Sequence, residues 1–134
     1  MNIKRYLLAS AAVFILFQIT GYIVHGLLLM KTYESLSALW RPDMMSLMWM
    51  MHITGAVYTL TFMYIYTRWR RTGNIAEALA YGAVIALFMN LTGVVNQHVV
   101  FPVPLALTVQ WLVYGSVEIF LGAIVAALVY RPKA

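Results

Sequence analysis

The chain has 134 residues, of which 63% are hydrophobic and only 10% charged, with a mean hydropathy of +0.83. That composition lies outside the soluble globular range and leaves no room for a separate soluble domain beside the apolar stretches. The net charge of +5 comes from basic residues at the ends of those stretches, not from an extended patch, so nucleic acid does not suit it as a partner. The absence of cysteine excludes disulfides, thiolate chemistry and zinc–cysteine sites.

A membrane-crossing helix needs about 20 apolar residues. The sequence predicts spans over 6–30, 44–67, 75–98 and 105–130, one helical domain covering 1–134. In hydrocarbon every backbone group must be satisfied within its own helix, so the expected fold is an all-α, integral-membrane four-helix bundle. Lys4 and Arg5 before the first stretch imitate a signal peptide. The apolar run continues to Met30, too long for a signal segment, so it reads as an uncleaved span. The loop 31–41 carries Tyr33, Leu36, Leu39 and Trp40 at helix-like spacing, which predicts a short interfacial helix anchored by Trp40. Pro42 and Asp43 follow, and Asp43 is placed to N-cap the second span.

The turn Arg70-Arg71-Thr72-Gly73-Asn74 separates the second and third spans, and Asn74 with Glu77 has the spacing of a capping box. Phe101-Pro102-Val103-Pro104 makes a tight connection to the fourth span, which Arg131-Pro132 ends. Lys4, Arg5, Arg68, Arg70, Arg71, Arg131 and Lys133 fall on one side. Lys31 and Arg41 fall on the other, beside Glu34 and Asp43. The positive-inside rule then places both termini in the cytoplasm, and a bacterial inner membrane fits best. Anionic lipid contact is the ordinary consequence of such edges.

Gln18-Ile19-Thr20-Gly21 in the first span matches Asn90-Leu91-Thr92-Gly93 in the third, and His52-Ile53-Thr54-Gly55 repeats the pattern. This suggests a duplicated helical hairpin. The other reading is chance recurrence in such a composition. Helical periodicity groups Gln18 with His25, Asn90 with Gly93 and Gln97, His52 with Gly55 and Thr59, and Trp111 with Gly115, Glu118 and Gly122. Each span thus offers a strip of polar and small residues suited to close packing with interhelical hydrogen bonds.

Glu118 is the only acidic residue deep in an apolar stretch. Intramembrane carboxylates are costly and need a partner, a proton or a task. From a rise of about 1.5 Å per residue, Gln18 and Glu118 share one depth, His52 and Asn90 a second, and His25 and Gln110 a third. The expected pairs are Gln18 with a neutral, donating Glu118, and His52 with Asn90. The candidate substrate- or ion-binding set is Glu118, Gln18, His52, Asn90, His25, Gln110 and Trp111. Belt anchoring is the plainer reading of Trp111.

His25, His52 and His98 all lie toward the loop side at unequal depths, which argues against a shared haem. Met44, Met48 and His52 at four-residue spacing offer copper(I)-type donors, but methionine also fills interhelical gaps. No Ser/His/Asp set, paired carboxylate or phosphate-binding loop occurs, so no catalytic residue, metal or cofactor is assigned.

The run Trp40-Arg41-Pro42-Asp43-Met44-Met45 after Tyr33, with Val100-Phe101-Pro102-Val103-Pro104-Leu105, resembles a family of small four-helix bacterial membrane proteins over almost the whole chain. That family has no characterised activity, so the resemblance implies architecture alone. Size and the single buried carboxylate are also similar to small multidrug-resistance transporters, whose key glutamate lies in the first helix, not the fourth. The expected function is an oligomer or an accessory subunit of a larger membrane complex. The alternatives are a proton- or cation-coupled small-solute transporter using Glu118, and a haem- or copper-binding redox protein. The expected partners are lipid and other membrane subunits.

Overall fold

A computed structural model describes residues 1–131. Pro132 and Lys133, read above as a stop signal and as part of the basic edge, lie outside the described residues. The chain is 85% helix, with no strand among the described residues. Helix α1 is Ile3–Gly21, continued as a π-helix over Tyr22–Leu28. Helix α2 is Met30–Ser35, and α3 is Met48–Trp69. Helices α4 (Ile75–Ile85) and α5 (Thr92–Val100) are joined without a break by a π-helix over Ala86–Leu91. Helix α6 is Leu105–Val129.

Three of these rods are long and apolar enough to cross a membrane, namely Ile3–Leu28, Ile75–Val100 and Leu105–Val129. Each lies within three residues of its predicted span. Helix α3 is as long as a span at 22 residues, but His52, its threonines and its tyrosines make it less apolar than the other three.

The termini locally follow their capping chemistry. Asn2 caps α1 by accepting from the Arg5 amide at 3.0 Å, and Asn74 caps α4 by accepting from the Glu77 amide at 2.8 Å. Glu77 does not return the bond to Asn74, as a capping box would. Its carboxylate instead accepts from the amides of Arg71, Thr72 and Gly73, holding the turn in which Gly73 has φ 73°. Asp43 also departs from expectation. Its carboxylate is held by the Arg41 guanidinium at 2.7 Å, leaving the start of α3 to a 3-10 turn over Met44–Leu47. That turn takes Met44 off the α-helical register, so Met44, Met48 and His52 do not form one α-helical face.

Helix α6 packs along α4 and α1, and α1 also packs along α3, while α3 makes only slight contact with α4 and α6. At one end the start of α1, the end of α6 and the α3–α4 turn come together. Arg5 donates to the Arg131 carbonyl at 2.8 Å, and Arg70 donates to the Tyr130 carbonyl at 3.2 Å with its guanidinium 4.6 Å from the Tyr130 ring. In this terminal half lies the main core, where Ala9, Val13, Met63, Tyr66, Tyr81 and Ala126 are all fully buried. Small residues let the helices close here. A Cβ on Gly122 would come within 2.6 Å of the Phe17 ring, and one on Gly82 within 3.3 Å of the Ala123 methyl. At the opposite, loop end, a smaller cluster of Leu29, Val103 and Leu107 sits beneath the connections.

Candidate functional site

The sequence-predicted polar residues separate into four local arrangements, because α1 and α6 each serve several neighbours. Gln18 and Thr20 are two residues apart on α1, about 200° around the helix, and so face different partners. Gln18 turns to α3, where its Oε1 lies 2.9 Å from His52 Nδ1. Thr20 turns to α6 and donates to Glu118 Oε1. The expected Gln18–Glu118 pair is therefore replaced by Thr20–Glu118. Equal depth brought Gln18 level with the carboxyl, but not to its side of the helix.

The expected His52–Asn90 pair also does not form. Asn90 lies against α6, where its amide fits the space left by Gly115, and its Nδ2 approaches Ser116 Oγ at 3.5 Å. A Cβ on Gly115 would sit 2.7 Å from that amide nitrogen, so the glycine is what admits Asn90. Gln110 forms no side-chain hydrogen bond among the described residues.

The third arrangement centres on Tyr33, which the sequence suggests only as part of an interfacial helix. Trp111 Nε1 donates to the Tyr33 hydroxyl at 2.8 Å, that hydroxyl meets His25 Nδ1 at 2.5 Å, and Trp40 Nε1 donates to the Tyr33 carbonyl at 3.0 Å. The rings of His25 and Tyr33 stack at 5.9 Å, and Trp40 meets Tyr33 edge-on at 5.5 Å. One tyrosine thus ties the π-helical end of α1, the loop helix α2 and the start of α6 together. Burial pushes its phenol above the usual range, partly offset by the Trp111 bond. The signal available in sequence was the cluster of aromatic residues around Trp40.

The fourth arrangement surrounds Glu118. Thr20, Ile23, Val24, Tyr114, Val117, Glu118 and Leu121 line a cleft of about 110 Å³ between α1 and α6, whose accessible surface is almost wholly apolar. The cleft is partly open, and Ile23, Val117 and Leu121 are exposed at its rim. The wider turns of the π-helix begin at Tyr22 and carry Ile23 and Val24 onto the wall; such insertions often mark functional positions. The three histidines stay apart, each with its own partner, His98 Nδ1 lying 2.7 Å from the Val103 carbonyl. Among the described residues no three His, Asp or Glu side chains converge as a metal-binding group would.

The three copies of the polar–aliphatic–Thr–Gly pattern have different surroundings. Gly55 faces Phe14 and Gln18, whereas Gly21 and Gly93 have open space where a Cβ would go. On α5 the residues Thr92, Gly93, Asn96 and Gln97 share one face and are exposed, and α5 leans mainly on α6 and its own π-helix. Compared with known proteins, the chain matches no family model, no curated protein and no solved structure.

Proposed function

We propose that this protein is a subunit of a larger membrane assembly, either with copies of itself or as an accessory subunit. It does so as a four-helix bundle in a bacterial inner membrane, with α3 as the fourth span and both termini in the cytoplasm. The basic end formed by Lys4, Arg5, Arg68, Arg70 and Arg71 supports that orientation.

The observation that carries the reading is the exposed polar face of α5, on which Thr92 donates to the Phe88 carbonyl of its own rod while Asn96 and Gln97 have no side-chain hydrogen bond among the described residues. Measured from Val100, Thr92 lies about 12 Å along the helix and Asn96 about 6 Å, depths at which polar side chains look for protein partners. Nothing in the described chain covers Thr92, Gly93, Asn96 and Gln97, although the same chain buries a core of large side chains in its terminal half. Interhelical hydrogen bonds in bilayers contribute about 0.6 kcal/mol each on average, so a face of several small and polar groups is needed for useful affinity. Open space at Gly93 lets a neighbouring backbone approach closely.

The test is the native mass of the protein extracted in mild detergent, for the natural chain and for Gly93→Leu. The expected result is a complex heavier than the 15.2 kDa chain, lost in the variant, whose Cβ has open space within its own fold. A monomer of the natural chain with no co-purifying protein overturns the proposal.

A further inference from the structure

We infer that the start of α1 and the ends of α3 and α6 together form a binding site for an anionic phospholipid, whose phosphate oxygens accept hydrogen bonds from Arg5, Arg70 and Arg131. These arginines come from three rods and converge on one turn. Arg5 donates to the Arg131 carbonyl at 2.8 Å and Arg70 to the Tyr130 carbonyl at 3.2 Å, while Arg131 donates through Nε to the Leu128 carbonyl at 3.0 Å. Tyr130 fixes the group further. Its ring lies 4.6 Å from the Arg70 guanidinium, and its hydroxyl accepts from the Asn2 amide at 3.1 Å. The arginines are thus anchored before any ligand arrives, and each spends in these bonds one of the five N–H donors that a guanidinium carries.

The charge on this turn is unbalanced. The carbonyls at a helix C-terminus carry about half an elementary negative charge, set here against three guanidinium cations. Glu77, at the start of α4, is committed elsewhere, because its carboxylate accepts from the amides of Arg71, Thr72 and Gly73. The sole ion pair among the described residues is Arg41–Asp43, in the loop at the opposite end. An anion from outside completes the cluster, and the planar guanidinium fork matches phosphate oxygens bidentately. Location makes that anion a lipid. The rods Ile3–Leu28 and Leu105–Val129, each long and apolar enough to cross a membrane, have one end at this turn, which sets the arginines at headgroup level. About one turn inward from Arg5 and Arg131, Leu8 on α1 and Leu128 on α6 are 62% and 48% exposed, apolar surface on which acyl chains can lie. A free phosphate gains nothing from those leucines.

The inference shares with the proposal above the placement of the rods in a membrane, but not the assembly through α5. Native mass spectrometry of the full chain in mild detergent separates the two, because protein copies and bound lipids appear as distinct mass increments. Phosphatidylglycerol, phosphatidylcholine and inorganic phosphate are titrated in turn. The expected result is one phosphatidylglycerol held at least about fivefold more tightly than phosphatidylcholine, with no phosphate retained. Arg131→Gln removes a guanidinium that touches only its own helix, so the ties between rods stay intact, and it should weaken phosphatidylglycerol binding about fivefold. Lys4→Gln combined with Arg68→Gln removes two charges from the same end but outside the site, since Arg68 stands over the Tyr64 ring, and should leave binding nearly unchanged. Equal retention of phosphatidylcholine, or phosphate held as well as phosphatidylglycerol, overturns the inference. So does unchanged binding in Arg131→Gln, or a loss in the Lys4/Arg68 variant as large as in Arg131→Gln, which is the behaviour of a diffuse basic edge.

Discussion

The terminal half and the loop half of this protein are built from the same apolar helices but held together differently. In the terminal half, alanine and glycine at the contacts of α1, α4 and α6 bring helices close enough to bury Tyr66, Tyr81 and Met63 completely. In the loop half, contact depends on single polar and aromatic bridges, namely Tyr33 with Trp111 and His25, Gln18 with His52, and Asn90 in the space at Gly115. Where small residues face each other the chain completes itself. Where polar groups face outward, as on α5, they stay uncovered by the described chain.

The largest effect that separates the halves should come from two glycines. Gly122→Leu drives a side chain into the Phe17 ring, and overpacking of this kind costs about 1–3 kcal/mol or more. A Cβ at Gly93 meets nothing within 4 Å, and replacing glycine in a helix by leucine gains up to about 1 kcal/mol. Thermal unfolding in a detergent that keeps the chain monomeric should therefore fall for the first and hold or rise for the second. Equal losses at both positions would erase the distinction.

Next in size is Tyr33→Phe. It leaves Trp111 Nε1 without its acceptor, and a buried donor left unpaired costs about 1–3 kcal/mol. The loss should appear in Trp fluorescence and loop proteolysis, with the α3–α4 turn unaffected. The sign with pH is fixed by the raised Tyr33 phenol. Its contribution is complete below the unfolded value of about 10 and is lost as pH rises through the higher folded value. The natural chain should thus loosen at its loop end above about pH 10, and Tyr33→Phe should remove that part of the alkaline response.

The smallest effects lie inside the terminal half, where two tyrosines differ by one bond. Tyr81 donates to the Phe62 carbonyl at 2.6 Å, so Tyr81→Phe should cost about 1 kcal/mol. The Tyr66 hydroxyl is buried with no partner among the described residues, so Tyr66→Phe should be neutral or stabilising. A larger loss at Tyr66 than at Tyr81 would show that the terminal half also depends on polar bridges.

Much of this was legible in the sequence. Apolar length located Ile3–Leu28, Ile75–Val100 and Leu105–Val129, and Asn74 announced its cap. Glu118 stood out as a lone acid at depth, and it does line the one cleft described above. Its partner was not legible, because depth along a helix says nothing of facing, and Thr20 rather than Gln18 turns to α6. The π-helices over Tyr22–Leu28 and Ala86–Leu91 add to this, since their wider turns shift the register that a 3.6-residue period assumes. Tyr33 was hidden for another reason. Its three polar partners come from α1, the loop and α6, a convergence that no local pattern records.

The most direct test of an incomplete loop half is photo-crosslinking in native membranes from a benzophenone side chain placed at Gly93 and, in a separate variant, at Leu8. Leu8 is also exposed, at 62% accessibility on α1, but belongs to the half that holds the main core. The account predicts a crosslinked protein partner or second copy from position 93 and lipid adducts alone from position 8. Protein adducts from position 8 with none from position 93 would contradict it.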